Sequence, residues 1–232
     1  MKKMFLAALF LSAALAMNAQ SRPGTFSLAP KVGVSIAKIT KQDIYYGGGH
    51  SMKPKFRADF MAGLEGEYQC SNELSLTLGA YYAALGYRTG NTEILQSQTE
   101  ERAVYSAYQG AYTRLDYVLV PVMLNMYVVK DFAVKAGLQA GFLVNAKSEV
   151  KVSDVTYEKS TGVGVYGEPL TLKNSSIEGY HQFDLSIPFG LSYEYMNVVL
   201  DARYNLGLLK VSTTSSAKNS FFTFSVAYKF NL

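Results

Sequence analysis

Apolar and polar residues alternate one by one through much of this chain, most cleanly near its end. Phe222, Phe224, Val226, Tyr228, Phe230 and Leu232 are apolar; Thr223, Ser225, Ala227, Lys229 and Asn231 between them are polar or small. A period of two is that of a strand with a different environment on each face. The same reading predicts seven further strands. The first, near 31–38, turns Val32, Val34 and Ile36 outward and Gly33, Ser35 and Ala37 inward. The second, near 57–70, turns Ala58, Phe60, Ala62, Leu64 and Tyr68 outward and Asp59, Glu65 and Glu67 inward. In the third, Leu74, Leu76, Leu78, Ala80 and Tyr82 oppose Ser75, Thr77, Gly79 and Tyr81.

The fourth strand, about 113–128, puts Val118, Val120, Val122, Leu124 and Met126 outward, with Leu119 and Met123 diluting the inner face. Pro121 lacks a donor there and predicts a bulge or a missing ladder bond. The fifth sets Phe132, Val134, Ala136, Leu138, Ala140, Phe142 and Val144 against Lys135, Gly137, Gln139, Gly141, Asn145 and Lys147. Its alternation continues over 147–158, which predicts a hairpin rim above the membrane. The sixth opposes Phe183, Leu185, Ile187, Phe189, Leu191 and Tyr193 to Asp184, Ser186, Gly190 and Glu194. The seventh opposes Val198, Leu200, Ala202, Tyr204 and Leu206 to Asp201, Arg203 and Asn205.

Connections alternate in length. Cys70-Ser71-Asn72, Lys130-Asp131 and Met196-Asn197 are tight turns, whereas about 39–56, 90–112, 148–180 and 210–220 are long polar links. Short turns at one end and long loops at the other are the plan of an outer-membrane barrel. Outward aromatics sort into two sets. Phe60, Tyr82, Phe142, Phe183, Tyr204 and Phe222 fall towards the long loops; Tyr68, Phe132, Tyr193, Tyr195, Tyr228 and Phe230 fall towards the turns. Eight to ten residues separate the sets, roughly 20–25 Å along the normal of a tilted strand, close to the ~25 Å apolar band between aromatic girdles. The expected fold is therefore all-β, an eight-stranded antiparallel up-and-down transmembrane β-barrel.

The N-terminus points the same way. Lys2 and Lys3 precede an apolar stretch over 5–16, followed by small residues. This pattern is that of a secretory signal peptide over 1–19, with 20–232 as the barrel domain; Ala14-Leu15-Ala16 offers a second cleavage site. Removing Lys2 and Lys3 lowers the formal net charge from +4 to +2, which gives no electrostatic support for nucleic-acid binding. Cys70, the single cysteine, has no partner for a disulfide or a metal site.

Inward positions carry acids (Asp59, Glu65, Glu67, Asp184, Glu194, Asp201) and bases (Lys31, Lys135, Lys147, Arg203, Lys229) in near-equal number. An eight-stranded barrel is just wide enough for its own side chains. These charges are thus expected to neutralise one another as a plug, and a wide solute channel is not expected.

The run Leu115-Asp116-Tyr117-Val118-Leu119-Val120-Pro121-Val122, followed by Lys135-Ala136-Gly137-Leu138-Gln139-Ala140-Gly141-Phe142, resembles the PorT-like outer-membrane β-barrel family. The motif is an aromatic-x-x-hydrophobic-Pro strand and then a Lys-Ala-Gly strand; Leu119 stands where such proteins often carry an acid. The resemblance implies a Gram-negative outer membrane and no single activity, its name-giving member assisting protein secretion.

Catalytic chemistry has little footing. The histidines are His50 and His181. His181 lies near Ser176 and Asp184, but a three-residue offset on a strand points His181 and Asp184 to opposite faces. His50 follows Gly47-Gly48-Gly49, which is not a phosphate loop because no Lys-Ser/Thr follows. Gly162 to Gly167 reads as a loop hairpin. No catalytic, cofactor-binding or metal residues are assigned, and no cofactor is expected. Tyr45, Tyr46, Tyr105, Tyr108, Tyr112, Tyr157 and Tyr166 populate the outer loops, where tyrosine suits contact with a partner. The expected function is a non-enzymatic outer-membrane anchor or scaffold. One alternative is an interaction component of an envelope or secretion machine; another is a rim hydrolase or acyltransferase. Expected partners are outer-membrane lipid and lipopolysaccharide, the barrel-insertion machinery and an envelope protein.

Overall fold

The computed structural model describes residues 23–40, 43–45 and 51–232. The signal peptide expected over 1–19, and His50 with the glycines before it, lie outside the described residues. In chain order the strands are β1 (Phe26–Thr40), β2 (Ile44–Tyr45), β3 (Ser51–Met52), β4 (Arg57–Gln69), β5 (Leu74–Arg88), β6 (Thr92–Gln98) and β7 (Arg102–Val129). They continue as β8 (Phe132–Glu158), β9 (Gly164–Tyr166), β10 (Leu170–Ser175), β11 (Phe183–Tyr195), β12 (Val198–Gly207), β13 (Lys218–Tyr228) and β14 (Phe230–Asn231).

Eight of these form a closed ring in the order β1-β4-β5-β7-β8-β11-β12-β13, with β13 pairing back onto β1. Every pairing is antiparallel, as an up-and-down barrel requires. Closure matches Val32 to Val226, Val34 to Phe224 and Ile36 to Phe222, and β14 extends it with Leu28 opposite Phe230. The alternation at the chain's end thus closes the ring, leaving no unpaired edge in the wall.

The outward face is apolar and exposed. Val32, Leu64, Leu78, Leu138 and Leu200 are each more than half exposed, and both aromatic sets lie on this face. A continuous band of this kind is stable only against hydrocarbon. Ring contacts knit the upper girdle across strands, with Tyr204 to Phe222 at 4.8 Å and Phe142 to Phe183 at 5.6 Å.

At the opposite end the turns are tight because their residues accept left-handed backbone. Asp131, Met196 and Asn197 have φ of 62°, 47° and 68°, which suits two-residue hairpins whose twist follows the strands.

Pro121 stays in register opposite Gln139 without a bulge. On its other side the β5–β7 ladder passes from Leu78↔Val122 to Tyr81↔Leu119, so the proline marks a break in bonding rather than an inserted residue. A real bulge lies higher up. Tyr117 pairs with Leu143 but Asp116 pairs with Asn145, leaving Val144 as the extra residue. Inner and outer faces exchange beyond it. Ala146 therefore takes the inner position, 2% exposed, and Lys147, expected inside, is turned to the other face. Asn145 likewise leaves the lumen, its amide donating to Asp116 at 2.9 Å.

Two of the links expected to be loops are largely sheet. β7 and β8 run 28 and 27 residues and stay paired from the lower turn up to Arg102↔Glu158. β6 adds to the free edge of β7, while β10 and β9 add to that of β8. The result is a fin standing on one side of the barrel mouth.

Candidate binding surfaces at the outer mouth

Inside the barrel, the stagger of the strands brings Lys31 on β1, Glu65 on β4, Tyr81 on β5, Lys135 on β8, and Asp201 with Arg203 on β12 into one layer. All six are buried. Lys31 Nζ lies 2.6 Å from Glu65 and 3.5 Å from Asp201; Lys135 Nζ lies 3.0 Å from Asp201 and 3.5 Å from Glu65. Arg203 bridges both carboxylates at 2.8 and 2.7 Å, and the Tyr81 hydroxyl donates to Glu65. Nearer the turns, Lys229 contacts Glu194 at 3.1 Å and Glu67 at 3.4 Å, while Tyr127 donates to Glu67 at 2.7 Å. Nearer the mouth, Asn219 donates to buried Asp184 at 2.8 Å. Each charge is met by opposite charge or a hydrogen bond, which is what a buried ion requires.

Above these layers the inner face turns apolar. Leu85, Leu115, Tyr117, Leu119, Leu143, Ala146, Val211 and Phe221 pack together, with Ile177 and Tyr180 from the loops resting on them. The lumen is thus filled by charge below and hydrocarbon above.

Over this stopper two adjoining hollows form one cleft. The first, about 250 Å³, lies at the foot of the fin against Ile44, Tyr112, Glu149 and Leu172. The second, about 270 Å³, lies over the mouth against Ser176, Glu178, Tyr180 and Thr214. Both share Tyr87, Ser148 and Asn174. Tyr112 donates to Glu149 at 3.2 Å, and Arg57 sits over its ring at 5.1 Å. Desolvation, and then the Glu149 bond, raises the Tyr112 hydroxyl above the ordinary tyrosine range. The walls set tyrosine rings beside hydroxyls, an amide and the carboxylates of Glu149 and Glu178, a surface suited to a partner with both apolar and polar parts.

A second tyrosine cluster lies higher on the fin. Tyr157 and Tyr166 donate to the two oxygens of Glu93 at 3.0 and 2.8 Å, and Tyr105 meets the Tyr157 ring edge-on at 5.5 Å.

The residues considered for a triad are not assembled. Ser176 Oγ accepts from the Glu178 amide in the cleft, His181 lies on the exterior with its amide on the Val211 carbonyl, and Asp184 faces inward to Asn219. Among the described residues no hydrogen bond joins the three side chains. Cys70 is exposed in its turn. The cleft escaped sequence reading because its walls come from six separate segments; the alternation of Leu170 and Leu172 was the available clue to β10.

The family model described as outer membrane protein beta-barrel domain matches residues 18–213. No curated protein matches the chain. Among solved structures, Ail, the attachment invasion locus protein of Yersinia pestis, aligns at 14% identity over 90% of this chain and 99% of its own, with a TM-score of 0.43. Neisserial surface protein A aligns at 14% identity over 88% and 97%, TM-score 0.37. The outer membrane protein OprG from Pseudomonas aeruginosa aligns at 12% identity over 90% and 97%, TM-score 0.36.

Proposed function

The chain belongs to the outer membrane protein β-barrel domain family, and from that premise we propose that it is a non-enzymatic anchor whose barrel holds a fin and a cleft at the cell surface. It is an integral protein of the Gram-negative outer membrane. The observation that carries the proposal is the contrast between lumen and rim. Inside, side chains from Lys229 up to Phe221 fill the bore; outside, 28- and 27-residue strands continue the wall beyond the membrane into a Tyr-lined surface. A barrel built this way invests its extra residues in presentation rather than passage.

The test is site-directed photo-crosslinking in cells, from Tyr112 and Leu172 in the cleft and from Met196 in the opposite turn. The anchor reading expects Tyr112 and Leu172 to capture one defined surface partner, recovered in reciprocal purification, and Met196 to capture none. No capture from either cleft position would overturn it.

A second reading, a component of an envelope or secretion machine, draws on the PorT-like pattern around Pro121 and Lys135-Ala136-Gly137, which we take as assigning the chain to that branch. It expects capture from Met196 on the periplasmic side. For the hydrolase alternative, His181→Ala would change outer-membrane lipid composition; the anchor reading expects no change.

A further inference from the structure

Neither the lumen nor the cleft uses a group of bases on the exterior just above the outer girdle. Outward parity on β1 runs from Val34 through Ile36 to Lys38, and on β13 from Phe224 through Phe222 to Ser220 and Lys218. The closing register sets Lys38 opposite Ser220 and Thr40 opposite Lys218. Lys38 thus stands two residues beyond the girdle level of Ile36 and Phe222, and Lys218 four, about 5 and about 10 Å higher along the normal of a tilted strand. That is the level of headgroups rather than acyl chains.

Beside it the wall is notched. The last β11–β12 pair is Ser186↔Gly207, and the Leu208 amide reaches the Leu185 carbonyl at 2.7 Å before the chain turns away. This opens an exterior hollow of about 700 Å³ lined by His181, Phe183, Leu208, Leu209, Lys210 and Lys218. Phe183 and Leu209 are exposed, 46% and 38%, giving the hollow a hydrocarbon floor. Lys210 and Lys218 give it a cationic rim. Lys38 extends the rim along β1, its ammonium 4.6 Å over the Phe56 ring, which itself stacks near Phe222 at 6.3 Å.

Among the described residues none of Lys38, Lys210 and Lys218 forms an ion pair. Asp184, at the start of β11, faces the lumen and is held by Asn219. An apolar floor at the girdle with lysines above it complements one kind of membrane molecule, an amphiphile whose anionic group sits where its chains begin.

We propose that this hollow docks the phosphate-bearing headgroup of an outer-leaflet glycolipid. Lys210 and Lys218 engage the phosphate as point charges, and Phe183, Leu208 and Leu209 receive the first segments of the chains. The site is separate from the cleft and does not depend on the surface-partner reading.

The protein is extracted from outer membranes into detergent and titrated with diphosphoryl lipid A, dephosphorylated lipid A and inorganic phosphate, with bound lipid counted by native mass spectrometry. Diphosphoryl lipid A is expected to bind in preference to the dephosphorylated form, weakening as salt rises, and inorganic phosphate is expected not to displace it. Each lysine at a membrane surface contributes about fivefold in affinity, so K210Q/K218Q is expected to bind about thirtyfold more weakly, while K210R/K218R retains binding. Equal affinity of wild type and K210Q/K218Q would overturn the proposal, as would indifference to the lipid's phosphates. Displacement by inorganic phosphate would overturn the lipid assignment in favour of a free-anion site. Should K210Q/K218Q not assemble, the salt series on wild type decides, and affinity independent of ionic strength sinks the idea. Capture from Tyr112 is expected to persist in K210Q/K218Q, which separates this test from that of the surface partner.

Discussion

Glu65→Gln removes one charge from the central layer while leaving its shape. Glu65 lies 2.6 Å from Lys31, 2.8 Å from Arg203 and 3.5 Å from Lys135, and Asp201 is the other carboxylate in reach of the three cations. Three cations face two carboxylates in the native layer; after the substitution they face one. Breaking a buried pair from one side costs about 3–5 kcal/mol. The amide oxygen can still accept from Arg203, which places Glu65→Gln near the lower end, about 3 kcal/mol. Lys31→Met deletes a cation from the side already in excess, leaving two against two, and is expected to cost about 1 kcal/mol, the scale of one lost hydrogen bond. Independent effects would add to about 4 kcal/mol. The double variant restores the native excess of one cation, so about 2 kcal/mol is expected, a coupling of about 2 kcal/mol within the range for contacting residues. Urea unfolding of the four proteins in lipid vesicles, followed by heat-modifiable migration, measures all terms. Additivity within about 0.5 kcal/mol would refute the idea that charge balance organises the layer.

Other expectations follow from the rim and turns. The Tyr157 hydroxyl is held by Tyr166 and then by Glu93, and ionises above the ordinary tyrosine range. Because the folded value is raised, its contribution to fin stability is present below the ordinary tyrosine pKa and is lost as pH rises through the raised one. The ultraviolet difference titration between wild type and Tyr157→Phe should therefore be centred above the ordinary tyrosine value; a centre at that value contradicts the geometry. Met196 carries a side chain at φ 47°, and Met196→Gly should stabilise the barrel by about 0.5–1 kcal/mol in the same urea assay, since left-handed backbone costs a non-glycine residue about 1–2 kcal/mol and glycine's flexibility returns part of that. A loss of stability there would refute it. Phe230 pairs with Leu28, and the Leu232 amide reaches the Phe26 carbonyl at 2.9 Å. Deleting residues 230–232 should reduce the heat-modifiable fraction in outer membranes, and an unchanged fraction would show that closure does not need them.

Strand faces were legible because lipid and lumen impose opposite demands at every step along a spanning strand. Lys31, Glu65, Asp201 and Arg203 could be placed inside by parity alone, though not joined into one layer, since that depends on stagger around the ring. Lys147 went astray because Val144 is an inserted residue indistinguishable by type from an ordinary outward valine. Above the girdle the guiding contrast between lipid and lumen is lost, so β6, β9 and β10 show no sustained alternation and read as loops. Lys38 and Lys218 were within reach of the same parity argument, carried two residues past Ile36 and four past Phe222. The mouth cleft was not, because Tyr87, Tyr112, Ser148 and Asn174 converge only through the fin's pairing.

The long β7–β8 pair, bulged at Val144 and again between Gln109 and Tyr112, also has a mechanical meaning. Some 16 residues of β7 stand above Val118, a height of about 40 Å for a tilted strand. A pull on the fin's tip along its length loads the β5–β7 and β8–β11 ladders in shear, their bonds side by side, so none can open alone. Force applied at the cell surface is handed directly to the closed wall in the membrane. No flexible linker intervenes to absorb it. Fin and wall thus form one continuous sheet through which a load passes in shear.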